Sequence, residues 1–331
     1  MVFPPIYKDK DADLQLIANK RIGIIGFGNQ GRAQALNLQD SGINVCIGLR
    51  GDSKSREEVE KENITCLSIQ EIVESSHIIS ILVPDQVMGE VYNEYLEPNL
   101  KDGQTLLFSH GYNIHYRVIQ PPEYVNILLA APSGPGTELR KRYIEGNGIP
   151  GLFAVHQDYS SDAEGMALAY CKAIGLTRSG VVKSTFMEET ETDLFGEQVI
   201  LTGGIPKMIQ SSYKVLLEYG YSPGIAWLVC YYEMKTIVDM FHSKGFEFMN
   251  SAISDTAEYG GITRGRRIID EEVENKMRIA LEEIQSGKFH AEWMKEYDDG
   301  YPLLEQLRKE EKNLNIGKIS KYMLKELFGE K

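Results

Sequence analysis

Three acidic side chains recur at four-residue intervals in the segment EETETDLFGEQ, residues 188–198. They are Glu189, Asp193 and Glu197. Residues four apart lie on one face of a helix, where like charges repel by roughly a few tenths of a kcal/mol per pair. A bound divalent cation would remove this repulsion, and carboxylate oxygens suit Mg²⁺. The alternative is an ordinary solvated acidic face.

The neighbouring residues favour a metal site over a solvated face. Phe195 and the apolar run 199–201 predict a largely buried helix, in which uncompensated carboxylates are costly. Glu233 lies in the apolar stretch GIAWLVCYYEMKTIVDMF, whose other acid is Asp239, and taken alone it would be a partly buried acid with a local partner. His110, in FSHGYNIH, follows a predicted strand, where open α/β sheets bind ligands. His110 alone is equally compatible with a structural role.

A glycine pattern predicts a dinucleotide site. Gly26, Gly28 and Gly31 form GxGxxG directly after the apolar run RIGIIG and at the start of a predicted helix near Gln30. Such glycines allow a tight turn and bring backbone N–H groups and the positive helix end against a pyrophosphate. The alternative is a glycine turn that serves packing only.

The second strand, NVCIGLR, ends at Arg50, where an NAD-binding protein usually has an acidic residue. Arg50, Ser53 and Ser55 could instead bind a 2′-phosphate, which favours NADPH over NADH. Asp52 in the same loop would repel that phosphate. A solvated polar loop is the alternative.

The hydrophobic pattern predicts two domains that would position these residues. Residues 20–182 alternate short apolar runs with amphipathic segments, which is typical of a doubly wound parallel sheet with strands buried on both faces. After Lys183, a 3.6-residue period predicts long helices, with turns at YGYSPG and EYGGITRG. The predicted helical stretches are 188–219, 223–243, 264–286 and 302–328. We therefore expect an α/β domain over 1–183 and an all-helical domain over 184–331.

Composition narrows the class of partner. The chain has 331 residues, 42% hydrophobic content and a net charge of −13, without a basic block that would bind nucleic acid. No apolar run approaches the ~18 residues of a membrane span. The four cysteines, Cys46, Cys66, Cys171 and Cys230, lack metal-binding spacing and predict free thiols in a reducing cytoplasm. Small molecules and further copies of the chain are the expected partners.

Taken together, the motifs resemble the short, class I ketol-acid reductoisomerases. They occur in the family's order over nearly the whole chain: GFGNQGRAQALNLQDSG, VPDQ, SHGYNIH, APSGPG, EETETDLFGEQ, YSPGIAWLVCYYEMKTIVDM and SDTAEYGGITRG. The resemblance implies a Rossmann-type domain, then a knotted helical domain that dimerises, with active sites that take residues from both subunits. It also implies Mg²⁺-dependent alkyl migration in an acetohydroxy acid. Hydride transfer from NADPH then gives a 2,3-dihydroxy acid for branched-chain amino-acid synthesis.

The resemblance also implies roles for individual residues. The metal ligands fall on Asp193, which bridges two metals, on Glu197 and on Glu233; the active-site histidine falls on His110 and the substrate-contacting serine on Ser254. The residues expected to take part in catalysis are His110, Glu189, Glu233 and Ser254. The cofactor positions are Gly26, Phe27, Gly28, Asn29, Gln30, Gly31, Arg50, Ser53, Ser55, Asp85, Gln86, Val87, Met88 and Gly136.

Four positions depart from the family pattern. Val229 replaces a metal-binding glutamate four residues before Glu233, and Ser133 replaces a lysine before GPG. Thr137 and Ala252 replace a histidine and a serine that many members have. Alkyl migration needs both ketol oxygens held and polarised together, whereas hydride delivery needs less. We therefore expect one metal site and a doubtful second.

Three functions follow from these observations. The first is an NADPH-dependent reductase of a small 2-oxo acid or a related carbonyl or imine, with an impaired isomerase step. The second is an authentic ketol-acid reductoisomerase that tolerates the substitutions, with water or a neighbouring group replacing the missing ligands. The third is a catalytically silent nucleotide-binding homologue that keeps the fold and the dimer.

Overall fold

The computed structural model describes residues 4–329 and divides into two compact units, Met1–Thr192 and Asp193–Lys331. The division falls within one helix, nine residues after the domain boundary expected from the sequence. In the described residues, no helix is both long enough and apolar enough to cross a membrane.

The first unit is built on one nine-stranded sheet. The strands are β1 (Ile6–Tyr7), β2 (Ile22–Ile25), β3 (Val45–Gly48), β4 (Thr65–Leu67), β5 (Ile78–Ile81), β6 (Thr105–Phe108), β7 (Asn126–Pro132), β8 (Gly151–Gln157) and β9 (Val181–Lys183). Their spatial order is β1-β9-β8-β7-β6-β5-β2-β3-β4. Strands β2 to β7 are mutually parallel, in register from Ile22 opposite Val45 and Ile78. This doubly wound, mainly parallel sheet confirms the predicted fold class.

One strand differs from the expected parallel arrangement. The apolar run GLFAVHQ forms β8, which pairs antiparallel with β7, and β9 follows the direction of β8. Apolar content indicates that a strand is buried but not which way it runs, so its direction could not be predicted from the sequence.

Helices cover both faces of this sheet. They are α1 (Gln15–Ala18), α2 (Asn29–Asp40), α3 (Arg56–Lys61), α4 (Ile69–Ser75), α5 (Asp85–Val91), α6 (Tyr112–His115), α7 (Gly136–Ile144), α8 (Ala163–Ala173), α9 (Leu176–Ser179) and α10 (Phe186–Gly196). Strands β2, β5 and β6 are buried along their whole length. Two apolar clusters, one on each side of the sheet, form the core.

The second unit is helical. After α10 come α11 (Gly204–Glu218), α12 (Pro223–Trp227), α13 (Glu233–Ala252), α14 (Asp255–Ile268), α15 (Glu271–Gln285), α16 (Lys288–Asp298), α17 (Pro302–Asn313) and α18 (Asn315–Phe328). Two single π-helical turns, Glu197–Leu201 and Leu228–Tyr232, precede α11 and α13. The unit's small buried cluster centres on Trp227, whose indole N–H donates to the Ser320 hydroxyl at 2.7 Å.

One predicted turn is wrong. The segment EYGGITRG lies inside α14, whose cap, the Ser254 hydroxyl, accepts from the backbone N–H of Ala257 at 3.2 Å. Acidic residues in the first turn and Arg266 and Arg267 in the last complement the helix dipole. These terminal signals outweigh the helix-weakening effect of the three glycines. The other predicted turn, YGYSPG, separates α11 from α12, with Gly220 at φ +85°.

Candidate active site

The glycine-rich turn lies at the carboxyl end of β2. Gly26 has φ +104°, and a Cβ there would lie 2.5 Å from the Leu82 carbonyl oxygen. Helix α2 begins at Asn29, so its free N–H groups lie directly beyond the turn. The tight backbone and the exposed helix end fit a pyrophosphate.

A second segment, at the start of α7, packs against the same turn. A Cβ on Gly136 would lie 2.1 Å from the Asn29 carbonyl oxygen, so only glycine fits. The Asn29 side-chain oxygen accepts from the Thr137 N–H at 2.9 Å, and the Gln30 amide donates to the Gly134 carbonyl at 2.9 Å. The structure therefore brings the GPG segment and the glycine-rich turn together, although they are over 100 residues apart in the chain.

The loop after β3 carries the residues predicted to bind a 2′-phosphate. Arg50 is exposed, while Ser53 and Ser55 are half-buried and joined by a bond from the Ser55 N–H to the Ser53 hydroxyl at 3.4 Å. The Arg56 guanidinium donates to the carbonyls of Leu49 and Arg50 at 2.9 and 3.0 Å. Arg56 therefore fixes the backbone of the loop.

Sequence reasoning did not single out Arg56. Its place at the first position of α3, directly after the loop, is the signal that could have identified it.

His110, which is partly buried, and Glu189, which is buried, form a hydrogen-bonded pair. The His110 Nδ1 lies 3.0 and 3.2 Å from the two Glu189 carboxylate oxygens, and Glu189 is only 3% exposed. The carboxylate also accepts from the Gly111 N–H at 2.7 Å. A Cβ on Gly111 would lie 2.6 Å from the Phe186 carbonyl, so glycine permits this close approach of α10. Glu189 therefore fixes the orientation of the imidazole through Nδ1.

Buried and partly buried aromatic side chains lie near this pair. Tyr112 lies next to the His110 ring, with ring centroids 6.0 Å apart, and burial raises the pKa of its phenol well above the usual value. Burial likewise raises the pKa of Tyr116 to about 12. Burial lowers the pKa of His115, although the Glu191 carboxylate nearby has the opposite effect. The neutral phenol of Tyr112 therefore lies beside His110.

The predicted stack of acids divides into two environments. Glu189 is buried, whereas Asp193, one turn further along α10, and Glu197, which opens the first π-helical turn, are exposed. The expectation of a largely buried helix is wrong here, since Ile200 and Leu201 are 50% and 61% exposed. Exposed carboxylates four residues apart still form a set of oxygen donors that suits Mg²⁺.

Glu233 follows the second π-helical turn and begins α13, with its side chain exposed. Val229 lies within that turn and is 50% exposed. Single π-helical turns occur frequently at functional sites, and here one adjoins each acidic segment.

The hydroxyl of Ser254 caps α14 in this structure. Asp85 to Met88 open α5, where the Asn113 amide donates to the Asp85 carbonyl at 3.2 Å.

Two family models match the chain. The model described as "Acetohydroxy acid isomeroreductase, NADPH-binding domain" covers residues 16–180, and "Ketol-acid reductoisomerase, C-terminal domain" covers 186–327. The chain belongs to the ketol-acid reductoisomerase family. It is an NADP-dependent oxidoreductase of that family, as its sequence motifs predicted.

Individual family members are similar over their whole length. The ketol-acid reductoisomerase (NADP(+)) of Methanocaldococcus jannaschii is 48% identical, and that of Methanopyrus kandleri 49%, over 97% of each chain. The solved structure of an NADH-preferring ketol-acid reductoisomerase from an uncultured archaeon is 41% identical, with a TM-score of 0.94. It covers 98% of this chain and 100% of its own. These matches include the helical half, so the likeness extends beyond the nucleotide-binding fold.

Proposed function

We propose that this protein is an NADPH-dependent ketol-acid reductoisomerase, which rearranges and reduces an acetohydroxy acid to a 2,3-dihydroxy acid in branched-chain amino-acid synthesis. One observation carries the proposal: relatives named for this activity match it at 48–49% identity over 97% of both chains. The other expectation, a reductase of other 2-oxo substrates with an impaired isomerase step, has no such support.

Magnesium would be held by Asp193 and Glu197, with Glu233 as a further ligand from a separate helix. When bound, Mg²⁺ polarises the ketol oxygens and stabilises the negative charge that develops on them. His110, held by Glu189, exchanges the substrate proton through Nε2. The turn at Gly26 and the loop at Arg50 hold the pyrophosphate and the 2′-phosphate of NADPH.

The substitution at Val229 weakens the metal site without removing it, whereas the substitution at Ser133 removes a positive charge and no metal ligand. Mg²⁺ is commonly bound through one or two carboxylates and keeps several waters, so a water can take the place of the missing ligand at Val229. Ser133 is exposed, and its N–H donates to the Pro150 carbonyl at 3.0 Å. We expect a higher Mg²⁺ requirement than in relatives with the full set of acids.

A homodimer is the proposed assembly, in a cytoplasmic setting. The second unit exposes large apolar side chains around the proposed ligand Glu233, among them Ile225, Leu228 and Tyr232. A second copy of this unit would bury such a face. Knotting of the helical domain stays a prediction from the resemblance.

The test is NADPH oxidation with Mg²⁺ on two substrates, 2-acetolactate and the already rearranged intermediate 3-hydroxy-3-methyl-2-oxobutanoate. A reductoisomerase turns over both. Turnover of the intermediate alone would leave a reductase without its isomerase half, the second candidate, which Val229 and Ser133 favour. A Val229→Glu, Ser133→Lys double variant is the matched control, because only an impaired isomerase would gain acetolactate turnover from it.

A further inference from the structure

A cavity of about 530 Å³ on the first unit is lined by none of the residues assigned above. Its walls come from the segment 114–121 around and after α6, from the end of β8 and from the start of α10. This volume lies within the range of small-molecule sites. All its lining residues belong to one compact unit, so the cavity is formed by a single chain.

The lining combines nitrogen donors, one of them the cationic guanidinium of Arg117, with apolar groups. Arg117, His115 and His156 contribute nitrogen donors, and no acidic residue lines the cavity, although the chain has a net charge of −13. Phe186 and Met187 form part of an apolar wall. The complementary ligand is an anion with an apolar body.

Arg117 has an unusual backbone for its residue type. Its φ is +56°, in the left-handed region that costs a non-glycine residue of order 1 kcal/mol. Within residues 4–329, the Arg117 guanidinium has no recorded hydrogen bond or ion pair. Backbone strain of this kind clusters at functional sites, and here it presents a solvent-exposed guanidinium to a cavity.

The two histidines differ in their availability. His115 Nε2 lies 3.6 Å from a Glu191 carboxylate oxygen, whereas His156 contacts the Phe186 ring edge-on at 5.4 Å. No carboxylate lines the cavity beside His156, and burial lowers its pKa. A neutral imidazole still donates one hydrogen bond. Arg117 and His156 are therefore the available donors.

We propose that this cavity binds the carboxylate of a small organic acid, with Arg117 and His156 donating to the carboxylate and the apolar body packing on Phe186 and Met187. A guanidinium binds a carboxylate through two parallel N–H donors, which suits this class of ligand. The binding does not depend on the proposed function, so either can fail alone.

The site adjoins the elements that hold the catalytic histidine. Helix α6 begins at Tyr112, two residues after His110, and Met187 precedes Glu189 by two residues on α10. An acid bound here would shift the two helices that position the His110–Glu189 pair. Its effect on turnover would therefore appear at saturating substrate, as a change in kcat and not only in KM.

Calorimetry on the full chain, without substrate, tests the binding with three probes: sodium isovalerate, its neutral amide isovaleramide, and sodium phosphate. Isovalerate is expected to bind and the amide to fail, because only the acid is charged. Phosphate should bind more weakly, since it has no apolar body. Absence of isovalerate binding, or equal binding of the amide or of phosphate, would overturn the proposal.

Arg117→Gly and Arg117→Lys are the diagnostic variants. Glycine accepts the backbone at φ +56° without strain, so Arg117→Gly should fold at least as stably, as a thermal melt would check. It should weaken isovalerate binding by at least about tenfold, since a charged hydrogen bond is worth that much. Arg117→Lys keeps the charge and should restore part of the affinity. Binding that persists in Arg117→Gly but is lost in Asp193→Asn would assign the ligand to the metal site and contradict the proposal.

Discussion

The two units of this protein differ in how many large apolar side chains they leave exposed. The first unit closes a core on both faces of its sheet and exposes few large apolar side chains, namely Ile6, Ile144, Tyr159 and Met187. All other large exposed hydrophobic residues in the described part of the chain lie in the second unit. Many exposed large apolar side chains on one unit are typical of a surface that another molecule covers. The two units therefore differ in how much apolar surface they leave exposed in a single chain.

This contrast matches the division of the proposed chemistry. The nucleotide turn, the Arg50 loop and the His110–Glu189 pair belong to the first unit, whereas Asp193, Glu197, Glu233 and Ser254 belong to the second. Changes at the nucleotide turn and the Arg50 loop should therefore affect cofactor binding alone. Changes in the second unit should affect metal binding and assembly.

The largest effect is expected from Asp193→Asn. Loss of the proposed shared ligand should lower Mg²⁺-dependent turnover by about 10³-fold, the scale of one oriented electrostatic group, while NADPH binding stays unchanged. Steady-state kinetics and a fluorescence titration of NADPH measure the two quantities. Glu188→Gln on the same helix is the control, because this exposed carboxylate only accepts from the Ser184 hydroxyl at 2.9 Å. Normal turnover in Asp193→Asn would show that the acidic stack is structural.

Ile225→Asp, in the second unit, should weaken dimerisation by at least about 10²-fold, because burial of an unpaired charge costs several kcal/mol. Ile144→Asp in the first unit is a matched control, since the two isoleucines are 59% and 68% exposed in one chain. Sedimentation equilibrium measures both. Equal, small effects of the two substitutions on dimerisation would contradict the proposal that the second unit forms the dimer interface.

Arg50→Ala should raise the KM for NADPH by about tenfold or more, on the scale of one charged hydrogen bond, and leave the KM for NADH nearly unchanged. Asp52→Asn is the opposite control and should modestly favour NADPH. Equal losses for both cofactors would show that Arg50 does not contact the 2′-phosphate.

The smallest effects are expected from removing the serine side chains that cap two helices. Ser68 caps α4 in the first unit and Ser254 caps α14 in the second, each accepting a backbone N–H at 3.2 Å. Alanine at either position should cost about 1 kcal/mol of stability, measured by denaturant unfolding. Only Ser254→Ala should also raise the KM for substrate. An unchanged KM would leave Ser254 as a helix cap.

Local features of the fold could be predicted from the sequence, and features that depend on distant contacts could not. The strand, glycine turn and helix at Gly26 are encoded within some twenty residues and were found as predicted. Glu189 was placed with the other acids because its spacing is visible, but its bond to His110 joins residues 79 apart in the chain. The direction of β8 is set by pairing with β7 rather than by composition.

The wrong expectation of a buried acidic helix has a different cause. The apolar run 199–201 does signal burial, but a single chain provides nothing that covers Ile200 and Leu201. Periodicity indicates that a face is apolar and cannot indicate whether its partner lies in the same chain. The predicted helical stretches match the helices of the second unit only in part, because they omit α16 and most of α14.

The family resemblance implies active sites that take residues from both subunits, and we propose that the metal site of the helical unit is shared in this way. The most direct test is turnover by a mixed dimer. Asp193→Asn and Glu233→Gln chains would be co-expressed with different tags and purified through both. If each site takes Asp193 from one chain and Glu233 from the other, one site per mixed dimer is intact, and about half of the native turnover should return. Turnover no higher than that of either parent variant would show that each chain builds its own site and would contradict the account.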